Sequence, residues 1–235
     1  MRSIFVTGTD TGVGKTFVTA LLALKLRAAG IDAGVMKPIA SGCTWHNGEL
    51  VADDALWLRA MTGVNDELES INPIRLEEPL APLVAARRAK QDSGDYIQRS
   101  IAAYEELKRR HDCVIVEGVG GLLVPIGERD GKIETCVDLA NALGLPVIVV
   151  ARRGLGTINH TLLTCSTRLQ EPARFAGLVF CDAAPLEETD IAAATSPALI
   201  AEMTGLPIWG QIPFALPTRA GLESVLRFMD GTKIG

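Results

Sequence analysis

The residue run with the clearest chemistry is Gly8-Thr9-Asp10-Thr11-Gly12-Val13-Gly14-Lys15-Thr16. It follows an apolar run, Ile4-Phe5-Val6, and precedes a segment with helical character. Small residues at a strand-to-helix junction let successive backbone N–H groups point into one concave space, and the start of the helix adds partial positive charge. That is a cradle for phosphate groups. Lys15 is then placed to reach the β- and γ-phosphates of a nucleotide, and the Thr16 hydroxyl to ligate Mg²⁺. Gly12, Val13 and Gly14 supply the loop backbone. Five residues separate Gly8 from Gly14 where the usual phosphate loop has four, so the loop is one residue longer or Thr9 takes the first glycine's place.

Three further groups suit the same chemistry. Cys113-Val114-Ile115-Val116 runs into Glu117 and then Gly118-Val119-Gly120-Gly121. An acid at the carboxyl end of a buried strand beside the phosphate loop is placed to hold Mg²⁺, and glycines such as Gly118 and Gly120 let a ligand approach the backbone. Lys37 opens Lys37-Pro38-Ile39-Ala40-Ser41-Gly42 after the second apolar run, which puts a second cation near a transferring phosphoryl group. Asp53 and Asp54 precede Ala55-Leu56-Trp57-Leu58. One of them is expected to cap that helix, and either suits the metal.

The elements that must position these groups are short and alternate. Continuous apolar runs occur at Ile4 to Val6, Ala33 to Met36, Cys113 to Val116, Val147 to Val150, Leu178 to Phe180 and Ile208-Trp209. Runs of this kind are strands covered on both faces. Helices are expected over Thr16 to Ala29, Pro82 to Lys90, Asp95 to Arg110, Val137 to Leu143, Ile158 to Leu169 and Glu187 to Met203, with Pro197 weakening the last. The alternation predicts an α/β fold, a mainly parallel sheet flanked by helices on both faces, as one domain over residues 1–235.

Composition narrows the function classes. A hydrophobic fraction of 48% with 22% charged residues is that of a globular chain. A net charge of −5 argues against nucleic-acid binding, which needs a basic surface. No apolar stretch reaches the roughly 18 residues of a membrane helix, and Met1 to Thr7 lacks the pattern of a signal peptide. Five cysteines (43, 113, 136, 165 and 181) without a C-x-x-C spacing fit a reduced, cytoplasmic setting rather than a disulfide framework or zinc site.

Taken together, these stretches resemble the dethiobiotin synthetase family. The resemblance rests on the phosphate loop, Lys37 to Gly42, Asp54-Ala55-Leu56, Asn72-Pro73 with Glu78-Pro79, Val116 to Gly121, and Leu155-Gly156-Thr157-Ile158-Asn159-His160, in the family's order from residue 4 to about residue 215. It implies a P-loop fold and the ATP- and Mg²⁺-dependent ring closure of 7,8-diaminononanoate with CO₂ to dethiobiotin, ADP and phosphate. By the same resemblance, Lys15 and Lys37 stabilise the transferring phosphoryl group, Thr11 and Ser41 position carbamate and diamine, and Thr16, Asp54 and Glu117 serve the metal. The family acts as a homodimer, with Gly156, Thr157, Ile158 and Asn159 of one subunit binding the substrate carboxylate of the other.

One position departs from the family. Where members carry an asparagine that reads adenine, this chain has Cys181, followed by Asp182. A thiol is a poor substitute for a carboxamide, so base discrimination is expected to be loose unless the main chain from Pro213 to Leu216 reads the base. Two other classes share the phosphate loop. Cobyrinate-type amidotransferase synthetases need a glutaminase domain, for which 235 residues leave no room. Nucleotide-switch ATPases of the partitioning type use a lysine near the loop's start, where this chain has Asp10.

Overall fold

In the computed structural model, residues 3–187 and 189–230 are described, and sequence readings touching residues 1, 2, 188 or 231–235 lie outside them. The chain begins with β1 (Ile4–Gly8), passes through the glycine-rich loop into α1 (Lys15–Ala28), and returns as β2 (Ala33–Met36). An excursion of short pieces follows. It holds β3 (Ile39–Ser41), the hairpin of β4 (Thr44–His46) and β5 (Glu49–Val51), α2 (Asp53–Thr62), the single turn α3 (Leu68–Ile71), β6 (Ile74–Leu76) and α4 (Pro82–Arg88). Then come α5 (Tyr96–Arg110), β7 (Cys113–Gly121), the hairpin of β8 (Pro125–Arg129) and β9 (Lys132–Thr135), and α6 (Cys136–Leu143). The chain continues through β10 (Pro146–Ala151), α7 (Thr157–Cys165), β11 (Arg174–Cys181), α8 (Ile191–Thr204), β12 (Ile208–Ile212) and α9 (Arg219–Val225).

Six strands form one sheet in the order β12-β11-β10-β1-β7-β2, with every pairing parallel. This is the α/β architecture expected from the alternating runs. The continuous apolar strands are explained by cover on both faces. Ile4 and Val6 of β1 pack with Val18, Leu21 and Leu22 of α1 on one face. Phe5 points to the other, toward Tyr96 and Leu107 of α5 and Leu139 of α6. Val149, Leu178 and Phe180 form a third cluster with Ile200 of α8.

Several boundaries differ from the sequence reading, each for a local reason. The strand containing Glu117 does not stop there: β7 runs on to Gly121, with Val6 of β1 opposite Glu117 and Gly8 opposite Gly121. The helix expected to reach Leu169 ends at Cys165. The helix expected from Glu187 begins at Ile191, where the Asp190 carboxylate accepts from the Ala193 N–H. It runs through Pro197 without splitting, the proline being buried and forfeiting one backbone donor. Neither Asp53 nor Asp54 is the N-cap of α2. Ala52 holds that position, and the two acids occupy the first turn, where they still complement the helix dipole. The Asp54 carboxylate is drawn to Lys37 instead of back onto its own helix.

Glycine 177 shows how tightly the far side of the sheet is packed. The Trp209 indole lies across it, donating from Nε1 to the Ala176 carbonyl at 3.1 Å, and a Cβ at position 177 would overlap the ring. Gly177→Ala is expected to cost about 1–3 kcal/mol of stability by overpacking. A urea-unfolding midpoint equal to that of the native chain would show that the indole is free to move.

Candidate active site

Strand register creates the central contact. In the parallel pairing of β2 with β7, Met36 lies opposite Val116. The residue after β2, Lys37, therefore comes beside Glu117, the next residue along β7. The Lys37 ammonium lies 3.0 Å from Glu117 Oε1, and both residues are buried. Lys37 also pairs with Asp54 at the start of α2. Backbone contacts hold the lysine in place: its N–H donates to the Ile71 carbonyl at 2.8 Å, and Asn72 Nδ2 donates to its carbonyl at 2.6 Å and to that of Ile74 at 3.2 Å.

The phosphate loop meets this pair from the other side. Thr16 Oγ1 donates to Glu117 Oε1 at 2.8 Å, so one carboxylate oxygen accepts from both Thr16 and Lys37. The other, Oε2, is buried without a hydrogen-bond partner among the described residues. Lys15 Nζ donates to the Asp10 carbonyl at 2.8 Å across the loop. Gly12 and Gly14 adopt left-handed backbone angles, φ 73° and 96°, which fold the loop back on itself. Val13 anchors it by pointing into the core.

The two lysines respond to burial in opposite ways. Burial pushes the Lys15 pKa down, and although Glu117 opposes this, neighbouring Lys37 adds to it. Burial also works against the Lys37 charge, but Glu117 and then Asp54 outweigh it, and the Lys37 pKa is held above the usual lysine value.

A cleft of about 1140 Å³ opens above these groups. It brings together Thr11, Gly12, Gly14, Lys15, Thr16, Lys37, Ser41, Asp54, Glu117 and Gly120. Other residues singled out in the sequence lie elsewhere. Gly118 packs behind the strand, where a Cβ would meet Phe5 and Cys136 Sγ at 2.9 Å. Cys181 is buried beneath the phosphate loop: a Cβ on Gly14 would lie 2.7 Å from its sulfur, and burial pushes its thiol up to about 12. The Asp182 carboxylate is held by the Arg153 guanidinium through both oxygens. Pro213 follows the end of β12, half-buried.

Gly156 caps α7 with φ 90°, Thr157 is buried and donates to the Arg152 carbonyl, and Ile158 and Asn159 continue the helix. This segment borders a separate hollow of about 260 Å³, shared by Thr9, Arg153, Thr157, His160 and Asp182. Asn159 and His160 are exposed.

Some contributors carry little signal in the sequence. Asn72 supports Lys37 from 35 positions away, and in the sequence only the Asn72-Pro73 stretch of the resemblance marks it, with no role attached. Phe17 and Trp57 line the cleft with Pro79 and Pro217. Phe17 sits next to Thr16, yet in sequence it reads as ordinary helix core.

The chain matches, over residues 2–220, the family described as an AAA domain. A protein from Thermodesulfovibrio yellowstonii named ATP-dependent dethiobiotin synthetase BioD is 41% identical over 213 residues, 89% of this chain and 88% of that one. One of the same name from Anaeromyxobacter dehalogenans is 47% identical over 204 residues, 87% of this chain and 86% of that one. Another from Bacillus licheniformis is 39% identical over 216 residues, 91% of this chain and 86% of that one. The signal recognition particle receptor FtsY from Elizabethkingia anophelis in complex with GDP superposes with a TM-score of 0.56 at 13% identity. That match covers 97% of this chain and 63% of the receptor, so this chain spans less than two thirds of it, and the likeness is one of fold.

The Lys37–Glu117 pair gives a direct test of the site's electrostatics. Glu117→Gln removes the strongest of the groups that favour the Lys37 ammonium, so the Lys37 pKa should fall. Acylation of Lys37 by a dilute amine-reactive reagent, followed across pH by mass spectrometry, should shift to lower pH. A profile that stays put would show that the two groups are not coupled.

Proposed function

The chain belongs to the ATP-dependent dethiobiotin synthetases, within the P-loop family described as AAA domains, and from that premise we propose how its residues carry out the reaction. As a member it is an ATP-dependent ligase that forms dethiobiotin in biotin synthesis, with ATP and diaminononanoate as substrates. The observation that carries the residue-level reading is the meeting of Lys15, Thr16, Lys37 and Glu117 on the floor of one cleft.

The third substrate is CO₂. One amine of the diamine takes it up as a carbamate, with loss of a proton. A carbamate oxygen attacks the γ-phosphorus as the bond to the β-phosphate oxygen breaks, leaving ADP and a carbamic–phosphoric anhydride. The second amine attacks the carbamoyl carbon and expels phosphate, closing the ring. Nucleophile and γ-phosphate are both anionic, so the main task is to cancel repulsion and align the partners. Lys15 exchanges its bond to the Asp10 carbonyl for phosphate oxygens. Lys37, kept charged by Glu117 and Asp54, faces the transferring group. Thr11 and Ser41 orient the carbamate and the diamine from the cleft wall.

The residues present fit Mg²⁺. Glu117 Oε2 is a buried oxygen with no hydrogen-bond partner among the described residues, Thr16 Oγ1 lies against the same carboxylate, and the Asp54 carboxylate is half-exposed at the cleft. An all-oxygen set with few protein ligands suits this cation, which keeps waters and phosphate oxygens for the rest. Its chemistry there is to offset the triphosphate charge.

The active unit is a homodimer. The start of α7, Gly156 to Asn159, lies beside Leu155, which is 97% exposed, and Leu163 of the same helix is also exposed. This end of the molecule supplies the carboxylate site to the partner's cleft. The enzyme works in the cytoplasm, independently of nucleic acid and membrane. Among the described residues no helix is long and apolar enough to cross a bilayer.

Lys15→Ala should abolish ATP-dependent ring closure while the far-ultraviolet circular dichroism stays native. Near-normal dethiobiotin formation by the folded variant would remove the phosphate loop from the reaction. Glu117→Gln should raise the Mg²⁺ concentration needed for half-maximal rate, because a carboxamide is a weaker ligand for a hard cation. An unchanged Mg²⁺ titration would take Glu117 out of the metal site.

A further inference from the structure

Beyond Thr16 the cleft continues along α1 to an aromatic wall. Phe17 and Trp57 stack with ring centroids 6.3 Å apart and planes 26° from parallel. Trp57 Nε1 donates to the Pro217 carbonyl at 2.9 Å, which brings the segment between β12 and α9 across to α2. A second bond, from Arg219 at the start of α9 to the Met61 carbonyl at 2.5 Å, fastens the end of this segment one turn further along α2. Phe17, Trp57 and Pro217 all line the cleft, continuous with Gly14, Lys15 and Thr16.

Side chains that could read a base by hydrogen bonds are engaged elsewhere. The Cys181 sulfur is packed under Gly14, and both Asp182 oxygens are held by Arg153. The indole N–H of Trp57 is itself used on the Pro217 carbonyl. What remains at this end of the cleft is a half-buried indole with its rings braced by Phe17 on one side and by the Pro217 segment through its N–H. A nucleotide whose triphosphate follows the loop past Thr16 carries its base toward this wall. Every nucleobase has a π-face, so an aromatic platform holds bases without distinguishing their edges.

We propose that Trp57, braced by Phe17 and Pro217, is the platform on which the nucleoside base packs, and that it makes this enzyme tolerant of base identity. The proposal rests on the assignment of the phosphate loop to a nucleoside triphosphate. Trp57 then acts on affinity for the nucleoside part alone, leaving the triphosphate to Lys15 and Thr16.

The experiment is calorimetric titration of the whole protein with ATP, CTP, GTP, UTP and inorganic tripolyphosphate, all with Mg²⁺. It is run on the native chain, Trp57→Ala and Trp57→Phe. The native chain should bind the four nucleotides within about tenfold of one another. Loss of one stacking partner should weaken all four in Trp57→Ala by about five- to fiftyfold. Tripolyphosphate affinity should not change, and Trp57→Phe should recover most of the loss. The platform is overturned if Trp57→Ala leaves nucleotide affinity unchanged, if it weakens tripolyphosphate equally, or if it weakens one base only. Should Trp57→Ala fail to fold, Trp57→Phe binding all four nucleotides as weakly as tripolyphosphate would also overturn it. A native chain that binds no nucleoside triphosphate fails differently, by removing the ATP assignment itself.

Discussion

A single buried carboxylate organises the active end of this molecule. Glu117 is 1% exposed, and its Oε1 accepts from Thr16 of the phosphate loop and from Lys37 at the end of β2. A carboxyl group so deeply buried is tolerable only when paired and hydrogen-bonded. The requirement ties three chain segments to one point: the start of α1, the end of β2 and the middle of β7. Asp54 joins through Lys37 and adds the start of α2. None of the four groups would be held so closely by exposed pairing, which is worth little in water.

The rest of the fold delivers these segments. Apolar cover on both faces keeps β1, β7 and β2 adjacent in one parallel sheet, with their carboxyl ends toward the same edge. Parallel α/β sheets gather ligands at this edge because helix starts and strand ends meet there. Smaller devices then adjust the geometry. Asn72 fixes the backbone of Lys37, Val13 pins the loop to the core, and Cys181 fills the space under Gly14 that any larger contact would disturb.

Much of this architecture was readable from the residues alone. Each of the six apolar runs coincides with a sheet strand, because a strand covered on both faces has an unmistakable composition. The strand–loop–helix geometry of the glycine-rich loop was equally plain, since Gly-Lys-Thr at such a junction depends on local structure. What escaped depends on partners distant in sequence. Asp54 reads as a helix cap or a metal ligand, and its pairing with Lys37 becomes visible only in the fold. The extension of β7 to Gly121 needs β1 alongside it, because a glycine-rich stretch has no strand preference of its own. The β4–β5 hairpin is too short and polar to announce itself, though Asn47-Gly48 at its tip has the left-handed angles such turns require. Trp57 reads as core for the same reason: its role follows from Phe17 on another helix and from Pro217, 160 positions away.

The meeting of Lys37 and Glu117 also bears on how the sheet assembles. β2 has only four residues, Ala33 to Met36, all buried against β7. In a strand so short, alignment with β7 is marked by Gly34, where a Cβ would meet the His111 ring at 2.5 Å, and by the charged residue that follows Met36. Sliding it by one position would carry Lys37 away from Glu117 and leave a carboxylate buried without its ammonium. Breaking a buried pair in this way costs about 3–5 kcal/mol, comparable to a large part of a domain's net stability. The charges that serve the cleft thus also proofread the edge of the sheet, and a chain that aligned β2 wrongly would be penalised before it bound any ligand.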